Sequence, residues 1–296
     1  MPKVSVAIPT YNCETFIGQS LESLLGQTYG DFELVISDNA STDGTEAICR
    51  AYEAADKRVR YVRRADNIGG PGNFRHVFSL CSGEYHKWST ADDYWHPAFL
   101  QEAVAELDRH ADVVLCYPMT SLIDAGGRTI EDYADNLDLS DESPRWRFRK
   151  LYERIGLCNA HLGLIRREAM QKTRLIAGHK ASDVDFLAEM ALLGKFKLLP
   201  EIRFFRRYHP TSSSWERADA SHQKAYYDPK NQINLGVDTW RRFGFQFGII
   251  RRCPIGWADK IALYAYVSRG MRYKRDVLWR ELMAQARPGA GRVRNA

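Results

Sequence analysis

The first 120 residues alternate between short β-branched segments and segments whose apolar residues recur at helical spacing. No other feature of the chain constrains the fold as strongly. Repeated strand–helix units favour strands that pair in parallel, with helices on both faces of the sheet. Ligands of such sheets bind at the loops that follow the carboxyl ends of the strands. The predicted strands are 4–9, 32–37, 59–63, 85–88 and 112–118, and the predicted helices are 13–27, one from about 43, 70–81 and 97–110.

The middle of the chain is less regular than its beginning, and after residue 221 the pattern is mainly helical. The middle contains a predicted helix at 182–193 and predicted strands at 196–200 and 202–208. We therefore divide the chain into an α/β domain at 1–215, with halves at 1–118 and 119–215, and a basic helical C-terminal region at 216–296.

The net charge is distributed unevenly along the chain. The whole chain carries +5, yet residues 241–296 hold 13 Lys/Arg and three Asp/Glu, a net charge of +10, so residues 1–240 carry −5. A uniformly basic chain would indicate a nucleic-acid partner, whereas a basic tail on an acidic body indicates a separate role for the tail. We expect no nucleic-acid partner.

The basic tail contains two aromatic, amphipathic segments. Residues 241–252 bracket apolar residues with arginine pairs, and Trp257, Ile261 and Tyr264 follow near helical spacing. Such segments can lie in a membrane interface and bind anionic lipid. Two interpretations stay open. Residues 241–296 make a peripheral contact with a membrane, or these helices pack on the α/β domain and their arginines are solvated.

Cysteine usage and the N-terminus indicate the compartment. The six cysteines are scattered with no CxxC pair, a pattern typical of buried thiols in a reducing compartment. No apolar run approaches the roughly 20 residues that span a bilayer. The N-terminal MPKVSVAIPTYN alternates like a strand and does not resemble a signal peptide. We expect a cytoplasmic protein that acts in solution or at the inner face of the cytoplasmic membrane.

Polar residues follow each of the first four predicted strands. Residues 9–12 read PTYN, residues 37–44 read SDNASTDG, residues 66–70 read DNIGG, and the fourth strand leads to the adjacent carboxylates Asp92 and Asp93. Each loop alone has the composition of an ordinary turn. Because the carboxyl ends of parallel strands meet at one edge of a sheet, the four loops together predict a ligand cleft. The two carboxylates need a cation, an arginine or water beside them, since like charges this close raise each other's pKa.

Taken in order, these loops and two later stretches resemble the motifs of the family 2 glycosyltransferases of the GT-A fold, over about residues 3–215. The combination is specific, although no single motif is decisive. The stretches that carry the resemblance are VSVAIPTYN, VISDNASTDGT, NIG, ADDYWHP, SDVDF and RYHPTSSS.

The resemblance implies an α/β fold with a Rossmann-like, mostly parallel sheet flanked by helices, here with a helical C-terminal extension. It implies an inverting enzyme that moves a sugar from a nucleoside-diphosphate sugar, a UDP-sugar first among the candidates, to an acceptor hydroxyl. The acceptor would be a carbohydrate or lipid-linked molecule in bacterial surface polysaccharide or glycolipid assembly.

The resemblance also implies roles for parts of the chain. The 1–118 half would bind the nucleotide sugar and the 119–215 half the acceptor. Tyr11 offers the nucleotide a flat apolar face, and Asp38 accepts hydrogen bonds from base N–H groups or sugar hydroxyls. Arg206 is an alternative to Arg207 as the charge near the diphosphate. The implied nucleotide-sugar contacts are Pro9, Thr10, Tyr11, Asp38, Asn67, Gly69, Asp92 and Arg207.

Asp92 and Asp93 match the acidic metal motif of the family, and His209 would complete the ligand set or contact phosphate. A divalent cation, Mn²⁺ or Mg²⁺, would neutralise the pair and stabilise the departing nucleoside diphosphate. The family often has Asp-x-Asp-Asp, whereas this chain has Thr90 at the first position. Asp92 is therefore the first choice as direct ligand, ahead of Asp93.

Inverting transfer needs a base that takes the proton of the acceptor hydroxyl. The resemblance implies that Asp183 is this base, at the start of the helix predicted over 182–193. The family commonly has Glu-Asp here, whereas this chain has Ser182 and Asp183. Asp185 lies about 200° further round a helix, so both carboxylates cannot face the same cleft.

Two other functions remain open from the sequence. A sugar-phosphate nucleotidyltransferase shares a related sheet, but it would have a glycine-rich, basic loop after the first strand, where this chain has PTYNCET. A non-catalytic nucleotide-sugar-binding protein is compatible with the substitution at Thr90. Release of a nucleoside diphosphate from the donor would separate a transferase from a binding protein.

Overall fold

The computed structural model describes residues 1–209, 212, 226–227 and 238–286. The chain divides into two compact units, Met1–Asn231 and Gln232–Ala296. The predicted boundary at 215/216 lies outside the described residues, as does the predicted membrane contact within 287–296. The limits of the two domains therefore stay a prediction.

The described strands of the first unit form one sheet that contains both parallel and antiparallel pairs. They are β1 Val4–Thr10, β2 Phe32–Asp38, β3 Val59–Arg63, β4 Tyr85–Trp88, β5 Tyr94–Trp95, β6 Val113–Ile123, β7 Thr129–Tyr133, β8 Leu164–Arg166 and β9 Lys195–Arg207. Their order is β3-β2-β1-β4-β8-β6-β9-β5, and β7 pairs with β6 beside this path. The two longest ladders, β6–β9 and β1–β2, are parallel, and β8 pairs antiparallel with both β4 and β6.

The strands β3, β2, β1 and β4 are parallel to one another, as the strand–helix alternation predicts. Thr10 at the end of β1 is in register with Asp38 at the end of β2. Almost every residue of β1 and β2 is buried, which is typical of parallel strands covered on both faces. The loops that follow these four strands therefore meet at one edge of the sheet.

Several helices of the first unit bury one apolar side, whereas the helix at Ser182–Leu193 is buried on almost every side. In the first of them Ile17, Leu21 and Leu24 are buried at helical spacing. The helices are α1 Ile17–Leu25, α2 Thr45–Ala55, α3 Gly70–Leu80, α4 Phe99–Arg109, α5 Pro144–Arg154, α6 Arg167–Gln171 and α7 Ser182–Leu193, with a 3₁₀ turn at Asn159–Leu162.

One expectation for the middle of the chain was wrong, and two elements there were not predicted. The two unpredicted elements are strand β7, which forms a hairpin with β6, and helix α5. The two strands predicted at 196–200 and 202–208 are one strand, β9. Its pairing with β6 skips two residues after Leu199, which places Pro200 in an irregular step of the ladder. Proline has no N–H to donate to a regular ladder, so an irregular step, where no such hydrogen bond is needed, tolerates it.

The described part of the second unit is helical, as predicted. Its helices are α8 Asp238–Arg252, α9 Trp257–Tyr273 and α10 Arg275–Ala286. Leu263 and Val267 are the buried residues of α9, and the rings of Phe247 and Tyr264 stack 5.9 Å apart between α8 and α9. None of the described helices combines the length and apolar character required to cross a membrane.

Candidate active site

Asp38 lies at the carboxyl end of β2 and is fully buried. The hydroxyl of Tyr61 donates to its Oδ2 at 2.5 Å, and the backbone N–H of Ser41 donates to its Oδ1 at 2.8 Å. Burial and the neighbouring Asp38 carboxylate raise the pKa of Tyr61, so the phenol remains a donor at neutral pH. Asp38 is thus held in place by the protein's own donors, and its assignment to the nucleotide stays a proposal.

Asn67 and Gly69 lie in the loop after β3, and a hydrogen bond joins them. Asn67 Oδ1 accepts hydrogen bonds from Asn39 Nδ2 and from the Gly69 N–H, both at 2.8 Å. Gly69 has φ 77° and ψ 160°, a conformation that only glycine adopts without strain. Thr10, the last residue of the neighbouring strand β1, is 2% exposed, and Tyr11, in the loop that follows, is 44% exposed. Tyr11 therefore offers an accessible aromatic face beside this edge.

Asp92 and His209 are in direct contact, although 117 residues separate them in the chain. His209 Nε2 lies 3.0 Å from Asp92 Oδ2, and the side chain of Asp92 is 24% exposed. The ring of Phe16 packs on the imidazole with centroids 4.7 Å apart. The structure therefore brings together the predicted first metal ligand and the predicted histidine. Within the described residues, no three His, Cys, Asp or Glu side chains are clustered for a metal ion.

Asp93 differs from Asp92 in burial and in its partners. It is 4% exposed. Its Oδ1 accepts the backbone N–H of Arg207 at 2.7 Å, and its Oδ2 accepts the hydroxyl of Thr90. Burial and the Asp92 carboxylate raise the pKa of Asp93 to about 7. Thr90, where the family often has a carboxylate, therefore supplies a hydrogen-bond donor to Asp93.

Arg207 lies beside the carboxylate pair, and its guanidinium donates to protein oxygens. Its Nε–H donates to the carbonyl oxygen of Asp92 at 2.8 Å, and its Nη1 donates to the carbonyl oxygen of Ala125 at 2.9 Å. Its Nη2 donates to Gln19. The observed contacts of Arg207 fix the position of Asp92, and its assignment to the diphosphate stays a proposal.

Asp183 lies in the first turn of α7 and lines the same cavity as Asp92, Asp93 and Arg206. This cavity has a volume of about 240 Å³. The backbone N–H of Val184 donates to Asp183 Oδ1 at 2.9 Å. The Asp183 carboxylate thus lines one cavity together with the adjacent pair that follows β4.

Asp185 has a different environment from Asp183. Its Oδ2 lies 2.9 Å from Nε2 of His179, and the side chains of both are mostly buried. The hydroxyl of Tyr152 donates to its Oδ1 at 3.4 Å. The two carboxylates of α7 therefore face different surroundings, as their helical spacing predicts.

Several of the residues that line the cavity carry no signal in the sequence that predicts them. An irregular stretch such as 157–162 gives no periodic signal, and only the single histidine in it carries chemistry that could have drawn attention. Tyr226 and Tyr227 follow a part of the chain with no recognisable motif. The missed residues include Phe74, Leu157, His161, Leu162, Ile176, Tyr226 and Tyr227.

Residues 5–174 match the sequence model of glycosyl transferase family 2. An uncharacterized glycosyltransferase of Nostoc sp. is 28% identical over 288 residues, which cover 92% of this chain and 81% of that protein. Matches to several other curated relatives span less than half of the relative. One of them is the poly(ribitol-phosphate) β-N-acetylglucosaminyltransferase TarS of Staphylococcus aureus, which is 36% identical over 40% of this chain and 21% of TarS.

Two solved structures share the fold. The complex of S. aureus TarS 1-349 with UDP-GlcNAc superposes with a TM-score of 0.66 at 20% identity, over 93% of this chain and 74% of that chain. The mannosyltransferase PcManGT of Pyrobaculum calidifontis, in complex with GDP-Man and Mn²⁺, superposes with a TM-score of 0.52 at 18% identity. The superposition covers 98% of this chain and 76% of that chain. The resemblance of the motifs, the match of more than half of the chain and the mixed α/β sheet agree, and the chain belongs to glycosyl transferase family 2.

Proposed function

We propose that the protein is an inverting glycosyltransferase that moves a sugar from a nucleoside-diphosphate sugar to an acceptor hydroxyl. One observation carries this proposal. A single cavity is lined by the Asp92–Asp93 pair and by Asp183. An inverting transfer needs a site for the leaving diphosphate and a base on the opposite side of the anomeric carbon, and both have candidates in this cavity.

The nucleotide would bind at the carboxyl edge of β1, β2 and β3. Tyr11 supplies an exposed aromatic face for the base, and buried Asp38 supplies a fixed acceptor for base or ribose. Asn67 and Gly69 supply a rigid loop to which the nucleotide can come close, since glycine has no side chain. We propose that Pro9 and Thr10 contact the nucleotide at the same edge. The diphosphate would lie beside Asp92 and Arg207.

The residues present fit a divalent cation held with help from the substrate. Mn²⁺ and Mg²⁺ are commonly bound through one or two carboxylates together with phosphate oxygens and water. Asp92 is partly exposed, and it would hold the ion together with His209, which it contacts. The buried Asp93 would add negative charge to the site. A bound cation would stabilise the negative charge of the departing diphosphate.

The base would be Asp183, which lines the same cavity as the Asp92–Asp93 pair. Its carboxylate would accept the proton of the acceptor hydroxyl while that oxygen attacks the anomeric carbon. The hydrogen bond from the Val184 N–H holds one carboxylate oxygen and leaves the other for the acceptor. Asp185 is paired with His179, so we assign it a structural role in the 179–185 segment.

Nucleotide sugars should raise the thermal stability of the protein, because a ligand that binds only the folded state stabilises it by mass action. The measurement is thermal unfolding with UDP-N-acetylglucosamine, UDP-glucose, UDP-galactose and GDP-mannose, each with Mn²⁺. We expect one UDP-sugar to produce the largest shift and to release UDP slowly. Binding without any release would favour the non-catalytic alternative. Release of pyrophosphate from a sugar phosphate and UTP would favour the nucleotidyltransferase.

The helices of the second unit expose an apolar and basic surface that fits an anionic membrane. Trp257 and Ile261, one helical turn apart on α9, are 77% and 66% exposed. On α10 Trp279 is 64% exposed, with Leu282 and Met283 also exposed. Large apolar residues exposed beside arginines and lysines are typical of proteins that bind at a bilayer surface. We propose that the enzyme acts in the cytoplasm, binds the inner face of the cytoplasmic membrane through this surface and glycosylates a lipid-linked acceptor of surface polysaccharide or glycolipid assembly.

The wild-type protein should float with vesicles that contain phosphatidylglycerol, and flotation should weaken as salt rises because part of the attraction is electrostatic. The double variant Trp257→Ala/Ile261→Ala should bind at least about tenfold more weakly, since each buried side chain of this size contributes about 1.5–3 kcal/mol. Ile130→Ala is the matched control, because Ile130 is 57% exposed on β7 in the first unit. Absence of wild-type flotation at both low and moderate salt would contradict the membrane contact.

A further inference from the structure

His161 lines the cavity together with Asp183 and Asp92, yet the proposed mechanism does not use it. It is the third residue of the 3₁₀ turn Asn159–Leu162. Its Nδ1 lies 2.6 Å from the carbonyl oxygen of Cys158. A carbonyl oxygen can only accept, so Nδ1 carries the proton and Nε2 carries a lone pair. Among the described residues Nε2 has no hydrogen-bond partner, which leaves an acceptor on a ring that borders the cavity.

The turn that carries His161 is held on three sides. The Nζ of Lys87, a fully buried lysine, donates to the carbonyl oxygen of Leu162 at 3.0 Å. The side chain of Asn159 donates to Thr120 Oγ1 at 3.0 Å and to Asp135 Oδ1 at 3.1 Å. These partners lie on strands β4 and β6 and in the segment after β7. The position of the imidazole is therefore determined by the sheet and is not that of a surface histidine.

The turn also depends on two unusual backbone positions. Cys158, before the turn, has φ 59°, in the left-handed region that residues with a side chain seldom adopt. Gly163, after the turn, approaches β6 so closely that a Cβ would lie 2.5 Å from the carbonyl oxygen of Cys116. Strained or crowded backbone of this kind persists only where surrounding contacts maintain it.

The location of His161 indicates what its Nε2 would meet. In an inverting transfer the anomeric carbon lies between the leaving diphosphate and the base. The space between the Asp92–Asp93 pair and Asp183 is therefore the space of the transferred glycosyl ring, provided that the proposed function is correct. We propose that His161 is a sugar-binding residue whose Nε2 accepts a hydrogen bond from a hydroxyl of the donor's glycosyl ring.

The electrostatics of the cavity agree with an acceptor role. Burial lowers the pKa of His161, while the carboxylate of Asp183 opposes this effect. A neutral imidazole keeps the lone pair that a hydroxyl donor needs. A sugar with its hydroxyl in the matching position would be preferred over an analogue that lacks it, because the unpaired nitrogen would otherwise stay desolvated.

Two substitutions separate the role proposed for Nε2 from the structural role of Nδ1. In His161→Asn the side-chain amide N–H can replace Nδ1 and donate to Cys158, while the acceptor at Nε2 is lost. In His161→Gln the longer side chain can place its amide oxygen near the position of Nε2. Dissociation constants are measured calorimetrically for UDP, GDP and the four nucleotide sugars named above, with Mn²⁺ present.

We expect His161→Asn to weaken binding of the preferred nucleotide sugar about 3- to 10-fold, the effect of one hydrogen bond. Binding of the free nucleoside diphosphate should stay within about twofold of wild type, and His161→Gln should recover part of the loss. Equal losses for nucleotide and nucleotide sugar, or no loss for either, would overturn the sugar contact. Failure of the wild-type protein to bind any nucleotide sugar would instead overturn the proposed function, and the sugar contact with it.

Discussion

Replacing Asp183 by Asn should abolish glycosyl transfer and leave donor binding intact. Removal of a general base lowers rates by about 10²- to 10⁴-fold. The amide retains an oxygen that can accept the Val184 N–H, so the start of α7 keeps the hydrogen bond observed at 2.9 Å. The dissociation constant of the nucleotide sugar should therefore remain within about twofold of wild type. Transfer rate and donor affinity, measured on the same preparation, check both parts of this expectation.

Asp185→Asn is the matched control, since it removes a carboxylate two residues away on the same helix. Asp185 is paired with His179, so this variant should cost some thermal stability and only a small part of the transfer rate. A near-normal turnover rate in Asp183→Asn would show that the base lies elsewhere, and Asp185 would then be the first alternative. Loss of donor binding in Asp183→Asn would show that the carboxylate serves the nucleotide sugar.

Replacing Asp92 by Asn should lower transfer on the order of 10²-fold or more, because stabilisation of charge in the transition state typically contributes several kcal/mol. The amide keeps the shape of the carboxylate and removes its charge. The variant should also need a higher Mn²⁺ concentration for half-maximal activity, since its affinity for the cation falls. Transfer rates across a Mn²⁺ titration, started from chelator-treated protein, measure both effects.

Asp66→Asn provides the comparison for Asp92→Asn. Asp66 lies in the loop after β3, and its side chain is 54% exposed beside Arg64. Loss of its charge should leave both the transfer rate and the Mn²⁺ requirement close to wild type. Wild-type activity that survives complete chelation would rule out metal dependence, and the Asp92–Asp93 pair would then need another role.

The sequence alone predicted most strands and helices of residues 1–118. Strand and helix periodicities are local properties, and they place β1 to β4 and helices α3, α4 and α7 within a few residues of their observed limits. Parallel pairing follows from the same alternation, because a strand–helix–strand unit returns the chain in the same direction. The meeting of Thr10, Asp38 and the Asp92–Asp93 pair at one sheet edge is therefore a consequence of the local pattern, and the family resemblance rests on those same loops.

The tertiary structure decided what each charged residue near the pair contacts. Asp92 and Asp93 are neighbours in the chain, yet Asp93 is buried against Arg207 and Thr90 while Asp92 reaches His209. Nothing in the local sequence distinguishes the two carboxylates, because the difference arises where β5, which directly follows them, pairs with β9, more than a hundred residues later.

Contacts between distant residues also determine the position of His161 in the cavity. His161 lies in a stretch with neither periodicity nor a motif, and its position results from contacts with Lys87 on β4 and Thr120 on β6 through the turn that carries it. β9 continues past Pro200 because its pairing with β6 skips residues 200 and 201 and resumes at Ile202. Hydrophobic periodicity records which side of an element is buried. Contacts between residues that are distant in the chain depend on how the elements pack, and no local pattern contains that information.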